Sequence, residues 1–450
     1  MKVYSTFLTK IILPLADLLK GTDILKTSEF LEDSQWWSAE QIRAFQEKRL
    51  RELIAHAYAN VPYYRATFDR LRLKPQEMNS SEDLQRLPVL TKDVIRQEFP
   101  DNMVAVNVPK KKLFLYHSGG STGEPLAYYL GSRAQSWRFA SLLRFWRWAG
   151  YELSNRWVRL DLIAHDKLSR RAMDRFSRCL FLRLSKMNQD TLQMSVARVR
   201  KFCPQVITGY ASQVFLLAKY LRDNAIDDIR PKSIITTGDM LFPHYRQLIE
   251  NQFCCTVYDT YGGNSMVISG QCDSGTYHIA AENVIVEFVK GYRPVKPGEV
   301  GTVLVTDLSN YGMPFIRFMV GDLAGPSQEP CKCGRYLPSM SPVVGRDTDI
   351  VVTPDGNYLV AYFFGHIFES MMSVDRFQVV QELEDEIEVK LVKNDWFSSQ
   401  DAEYIKDAIR QAAGEKLKVS LNFTEDIPIP RSGKLRIVVS EIGRRRFAAT

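Results

Sequence analysis

Hydrophobic and polar positions change their rhythm several times along the chain. In "SAEQIRAFQEKRLRELIAHAYAN", residues 38–60, apolar Ile42, Phe45, Leu50, Leu53 and Ile54 recur near helical spacing behind Ser38, a residue type that caps helix N-termini. The pattern predicts one long amphipathic helix, broken at Pro62. "QSWRFASLLRFWRWAGY" predicts a second, with Gly150 just past its end. Between residues 157 and 263, short apolar runs alternate with helical stretches. "WVRLDLI", "PQVITGY", "KSIITTGDM" and "TVYDTYGG" read as buried strands, and "SQVFLLAKYLRDNA" and "PHYRQLIENQF" as helices between them. Strand and helix alternating at this spacing predict a parallel sheet with crossover helices.

From about residue 284 the texture changes. "VIVEFV", "GTVLVTDL" and "PFIRFMVGDLAG" are strands separated by turns containing Pro and Gly, which predicts an antiparallel or barrel-like layer. The C-terminal stretch reads as a strand pair in "FQVVQELEDEIEVKLVKN", a helix in "SQDAEYIKDAIRQAAGE" and a strand in "KVSLNFTEDI". The expected fold class is α/β. A large N-terminal domain, residues 1–345, has parallel α/β layers plus a small barrel-like β layer, and a small α+β domain follows over 346–450. No internal repeat or low-complexity segment is evident.

Composition narrows this picture rather than changing it. At 450 residues, 45% hydrophobic and 25% charged, the chain suits a soluble globular protein with a sizeable core. The net charge of +7 is dispersed, and its densest cluster, "GRRRF" at 443–447, is too short for a committed nucleic-acid surface. Seven cysteines, an odd number at low density without a secretory leader, fit a reduced, cytoplasmic setting. "FLTKIILPLADLLKG" is interrupted by Lys10, Pro14 and Asp17, and falls short of the roughly 20 apolar residues that span a bilayer. Two readings stand for residues 7–20: a helix docked on the protein, or a peripheral contact with the inner face of a membrane.

Candidate chemistry gathers at a few short stretches. "LYHSGGSTGEPLAYYL" sets Ser118, Gly119, Gly120, Ser121, Thr122 and Gly123 in succession between two hydrophobic flanks. That exceeds what a tight hairpin needs, and backbone N–H groups in such a run suit an anion; the alternative is a flexible surface turn. No Gly-Lys-Ser/Thr follows, so this is not an ordinary P-loop. Ligands favour the carboxyl ends of parallel strands, where Tyr210, Ser212, Thr237, Gly238 and Asp259 fall as candidates for substrate binding. "QCDSGTYH" and "PCKCGR" supply Cys272, His278, Cys331 and Cys333, a closed tetrahedral set for structural Zn²⁺ or else two unrelated pairs. Cys254 and Cys255 are expected on a buried strand, as small hydrophobes.

"HSGGSTGEP" resembles the phosphate-binding loop of the adenylate-forming enzymes, the superfamily of acyl-CoA ligases and peptide-synthetase adenylation domains. In that family's order follow "YDTYGGNS" for the adenine loop, "FMVGD" for the ribose-binding aspartate, "GRDTD" for the interdomain hinge and "PRSGK" for the mobile catalytic lysine. Within the superfamily, "SQWWSAEQIRAFQEKRLRELIAHAYANVPYYRATF" and "GGSTGEP" are similar to phenylacetate–CoA ligase and to the CapK-type proteins of capsular-polysaccharide gene clusters.

The resemblance implies a two-step chemistry. ATP, with Mg²⁺, and a small-molecule carboxylate give an acyl-adenylate and pyrophosphate, and an amine or the CoA thiol then displaces AMP. It implies that residues 118–123 hold phosphates, that Tyr261 stacks on adenine in a loop shared with Asp259 and Gly262, and that Asp322 binds ribose. Arg317 and Arg346 would join Asp322 or contact the α-phosphate, and Lys434, on a mobile domain, would steady the charge that builds during transfer. The CapK likeness implies an amide or ester step in surface-polysaccharide assembly, on a sugar-linked carboxylate. One position departs from the family. Where "YGxxE" supplies a carboxylate for Mg²⁺, this chain has Ser265, a neutral and weaker ligand. Asp239 or Asp259 would then substitute, or phosphates and water would hold the ion. A non-catalytic nucleotide-binding scaffold is the competing expectation.

Overall fold

The structure is a computed structural model. It describes residue 4 and residues 8–442, apart from 118–125, 162–167, 184–188, 264, 292, 328–330, 347–349, 356–357, 369–370, 372 and 429–435. A π-helical turn over Leu8–Ile12 leads into helix α1 (Leu13–Lys20), closed by Gly21 at φ 62°, a left-handed turn that glycine adopts freely. Just ahead of α1 the chain is docked: Leu8 is buried, and the Tyr4 hydroxyl donates to the Phe176 carbonyl at 2.6 Å. The helix itself turns Leu15, Leu18 and Leu19 to solvent. Among the described residues no helix is long and apolar enough to cross a membrane.

Helices α2 (Ile24–Ser34), α3 (Ala39–Asn60), α4 (Pro62–Leu71) and α5 (Lys92–Glu98) follow. A reciprocal capping box starts α3, with Ser38 and Gln41 each accepting the other's backbone N–H. Pro62 ends α3 and opens α4, because the first helical position needs no N–H donor. Of the predicted apolar stripe, Ile42, Leu50, Leu53 and Ile54 are buried, while Phe45 joins Phe30, Trp37 and Trp137 in an aromatic cluster.

Strands β1 (Leu113–His117) and β2 (Ala127–Gly131) pair antiparallel, and α6 (Ser132–Trp148) leaves β2 directly. Next come β3 (Trp157–Asp161), α7 (Leu168–Phe176), β4 (Cys179–Arg183), α8 (Gln189–Phe202), β5 (Val206–Tyr210), α9 (Ala211–Asp223), β6 (Ser233–Thr237), α10 (Pro243–Phe253), β7 (Thr256–Gly263), β8 (Met266–Gln271) and β9 (Tyr277–Ile279). Five of these strands run parallel in the order β4-β3-β5-β6-β7, and β8, β9 and β14 (Ser339–Met340) extend the sheet antiparallel. The expected crossover layer is thus present, with an added antiparallel edge. Cys254 and Cys255 are corrected: Cys254 is exposed at the end of α10, at φ 51°, and Cys255 is half-buried ahead of β7.

A second, five-stranded antiparallel sheet orders β11 (Arg293–Pro294), β10 (Val284–Lys290), β12 (Gly301–Asp307), β13 (Phe318–Ala324) and β15 (Gly345–Arg346). Helices α2, α3 and α6 are tied to the junction of the two sheets through Glu282. Its carboxylate accepts from Arg144 and from the Ser34 hydroxyl, each at 2.6 Å, and both members of the Arg144–Glu282 ion pair are wholly buried. Arg49 donates to the carbonyls of Glu282 and Leu308 at 2.7 and 2.8 Å, its guanidinium lying 4.0 Å from the centre of the Trp137 ring.

Beyond β15 lie the hairpin β16 (Ile350–Val352) and β17 (Tyr358–Val360), α11 (Ala361–Phe368), β18 (Val374–Leu383), β19 (Glu386–Lys393), α12 (Ser399–Ala413), β20 (Lys418–Phe423) and β21 (Val438–Ser440). The last sheet runs β20-β19-β18-β21 and encloses its own core of Phe364, Val379, Val389, Ile405 and Val438. Met240 packs against that core, and Lys219 of α9 pairs with Asp375 of β18. Gly365 of α11 lets the helix approach closely: a Cβ there would lie 2.5 Å from the Phe242 ring.

Candidate active site

The carboxyl ends of β6 and β7 open into a cleft. Its walls are Gly238–Phe242 after β6, Asp259–Gly262 on β7, Asp322 on β13, the strap Met340–Val343 between β14 and β15, and Ala361, Arg436 and Ile437 of the C-terminal unit. Strand β7 bulges between Tyr261 and Gly262 as it turns antiparallel onto β8. Only glycine fits there, because a Cβ on residue 262 would sit 2.2 Å from the Met266 carbonyl oxygen. The bulge presents Tyr261 to the cleft, and its hydroxyl donates to Asp322 at 2.9 Å, joining the two sheets across it.

Asp259 is buried in the wall. Its carboxylate accepts from the Thr236 hydroxyl at 2.6 Å and the Tyr277 hydroxyl at 2.7 Å, and its N–H donates to the Gln271 side chain at 3.1 Å. Burial pushes the Asp259 pKa up to about 6 against those two hydroxyls and nearby Arg246. Asp239 accepts from the Ser212 hydroxyl and from the Ser212 N–H at 3.3 Å, so its charge caps the first turn of α9.

Of the residues singled out in the sequence, Ser212, Gly238, Asp259, Tyr261, Gly262 and Asp322 therefore meet in one cleft. Thr237 is exposed at the end of β6, outside the lining. Tyr210 is half-buried against Gly238, its hydroxyl pKa pushed up to about 12 by burial and then by Asp161 and Asp239. The backbone of Arg346 pairs with Asp322 on the adjoining strand. Residues 118–123 and Lys434 lie outside the described residues, between β1 and β2 and just ahead of Arg436 respectively.

Arg317 is corrected. It is buried at φ 53° ahead of β13, its guanidinium 3.0 Å from Glu287 and donating to the Leu87 carbonyl, away from the cleft. Ser265, at φ 62°, shares a 2.7 Å hydrogen bond with Tyr128 on β2, the strand that leaves the glycine-rich run. Sequence reasoning missed Phe242, Tyr277, Arg436 and the strap. The position of Arg436, two residues past Lys434, was the one available signal.

Beside the cleft, Cys272, His278, Cys331 and Cys333 bring their ligand atoms within 4.8 Å of one another. The Cys272 and Cys331 sulfurs are 3.5 Å apart, and Cys333 Sγ is 3.3 Å from His278 Nε2. Tetrahedral zinc, with bonds of about 2.3 Å to sulfur and 2.0 Å to nitrogen, has ligand edges of about 3.5–3.8 Å, so the set fits. His278 Nδ1 faces the Leu337 carbonyl at 3.1 Å, which leaves Nε2 as the ligand atom. Burial acts to raise the Cys331 pKa, but hydrogen bonds from Thr276, Cys333 and His278 outweigh it and bring it to about 6, favouring thiolate.

Known proteins share this fold and much of this sequence. Residues 351–441 match the CapK C-terminal domain. Phenylacetate-coenzyme A ligase of Thermus thermophilus is 24% identical over 438 residues, 89% of this chain and 96% of that protein. Protein CapK of Staphylococcus aureus is 23% identical, over 88% of this chain and 89% of its own. Among solved structures, 2-hydroxyisobutyryl-CoA ligase in the postadenylation state, in complex with 2-HIB-AMP, superposes at TM-score 0.75 with 19% identity over 92% of each chain. In its thioesterfication state, with 2-HIB-AMP and CoA, the TM-score is 0.61 over 93% of this chain and 96% of that one. The chain therefore has the fold of the adenylate-forming CoA ligases, is similar over most of its length to phenylacetate-coenzyme A ligase and to protein CapK, and matches the CapK C-terminal domain over residues 351–441.

Proposed function

We propose that the chain is an ATP-dependent ligase that activates a carboxylate as an acyl-adenylate in this cleft and passes the acyl group to CoA. The meeting of Tyr261 and Asp322, from different sheets, with Arg436 of the C-terminal unit carries the reading. Tyr261 offers its ring to adenine, Asp322 its carboxylate to the ribose hydroxyls, and residues 118–123 their N–H groups to phosphates. Lys434 precedes Arg436, a cleft residue, by two positions in the sequence, and we assign it to this cleft. There a lysine would offset the charge that grows on the transferring oxygens. We take the chain to divide near residues 345–346, with the C-terminal unit moving between the two steps.

CoA as acceptor is supported by the CoA ligases among the relatives. The CapK match over 351–441 supports a second reading, in which the acyl group of a sugar-linked carboxylate passes from AMP to an amine or hydroxyl in surface-polysaccharide assembly. Mg²⁺ would be held mainly by phosphates and water, because Ser265 is engaged with Tyr128 and Asp259 with Thr236 and Tyr277. Zn²⁺ at Cys272, His278, Cys331 and Cys333 would be structural. The test is ATP–pyrophosphate exchange over a panel of carboxylates, with Lys434→Ala beside the natural chain. Exchange with at least one carboxylate is expected, falling about 100-fold or more in the variant while AMP binding persists. ATP binding without exchange on any carboxylate would favour the scaffold.

A further inference from the structure

We propose that the cysteine–histidine metal centre is a positioning device for the nucleotide cleft, so that metal occupancy sets nucleotide affinity. The inference rests on the cleft and metal readings above and goes beyond a structural role for the metal. Each ligand from the large sheet is the chain neighbour of a residue that grips Asp259. Gln271, preceding Cys272, accepts the Asp259 N–H at 3.1 Å and donates to the Gly275 carbonyl within the metal turn at 2.9 Å. Tyr277, preceding His278, donates to the Asp259 carboxylate at 2.7 Å. A shift of either ligand moves the floor on which Tyr261 stands.

The other two ligands anchor the strap. Cys331 and Cys333 begin a run that reaches the Leu337 carbonyl, 3.1 Å from His278, and the Pro338 carbonyl, which accepts from Ile279 N–H at 2.7 Å. Ser339 and Met340 then pair with His278 and Tyr277. The strap crosses to the second sheet, where Ser341 N–H meets the Gly325 carbonyl at 2.8 Å and Val344 N–H the Leu323 carbonyl at 2.9 Å. On the way it brings Met340, Ser341, Pro342 and Val343 into the lining of the cleft, with Gly238–Phe242. Two-residue strands such as β14 hold little register of their own, so a metal that joins both ends fixes it.

The experiment uses the full chain. Zinc is counted as isolated, removed with a chelator and restored with ZnCl₂, while AMP affinity is read by calorimetry and backbone exchange by hydrogen–deuterium mass spectrometry. Stripping is expected to raise the AMP Kd about tenfold or more, as loss of support around a site commonly does. Exchange should quicken over 338–345 and 256–263 but not over 377–393, and zinc should restore both readouts. Cys333→Ser should match the stripped protein; if it fails to fold, the chelation arm still decides. Equal AMP affinity with and without metal overturns the coupling alone. Exchange rising uniformly, the 377–393 strands included, also overturns it, because the metal would then act on global stability. A preparation that holds no metal overturns the metal reading, and absence of AMP binding to both forms overturns the nucleotide reading, each taking the coupling with it.

Discussion

At Asp259 burial and hydrogen bonding pull in opposite directions, and burial wins, holding its pKa near 6. The folded state therefore keeps this proton to a higher pH than the unfolded chain, whose aspartate titrates near 4. Stability from this group is present below about pH 4 and is lost as pH rises through 6, by about 3 kcal/mol in all. Asp259→Asn should flatten that part of the profile, which urea denaturation at steps from pH 4 to 7 would read; an unchanged slope would mean that Asp259 titrates normally. Which carboxylate carried such a shift was not legible in the sequence. Tyr277 and Gln271 lie 18 and 12 residues from Asp259, brought to it by pairing between strands. Arg317 shows the converse. Its closeness to Asp322 in "PFIRFMVGDLAG" suggested a shared site, yet its left-handed backbone ahead of β13 aims it at Glu287. A motif gives residue types; the direction of a side chain comes from its backbone.

Elements with a period were legible. Four of the five parallel strands, β3, β5, β6 and β7, announced themselves as apolar runs between helical stretches while the edge strand β4 did not, and β10, β12 and β13 read as strands between turns. Elements of two or three residues were not: β9, β14, β15 and β21 hold their places through partners far along the chain and have no rhythm to read. The cleft was accordingly half-visible, its β6 and β7 walls predicted and its strap missed. At the β7 bulge the constraint is steric and local. Gly262→Ala puts a methyl against the Met266 carbonyl, and backbone cannot rotate aside as a side chain can. A loss of about 1–3 kcal/mol is expected, together with weakened AMP binding as Tyr261 is displaced. A variant with the original melting point and AMP affinity would show that the strand absorbs the methyl.

For the molecule as a whole, the proposed movement of the C-terminal unit depends on its contacts with the rest of the chain. Both states of 2-hydroxyisobutyryl-CoA ligase share the fold of this chain, at TM-scores of 0.75 and 0.61. The Lys219–Asp375 pair is one such contact. Because both partners are partly exposed, it is worth about 1 kcal/mol or less. Lys219→Ala should shift the balance between arrangements by about fivefold at most, read as a distance distribution between labels on the two units. An unchanged distribution would retire the pair as a latch.

The Arg144–Glu282 pair has a consequence of another kind, for descent. Removing either partner strands a charge with no access to water, typically a loss of about 3–5 kcal/mol, whereas exchanging both for apolar residues of like volume can be nearly neutral. Single steps away from the pair are therefore closed and double steps open. Among descendants of this sequence the two positions should be inherited as one character, changing together or not at all, although 138 residues of chain separate them.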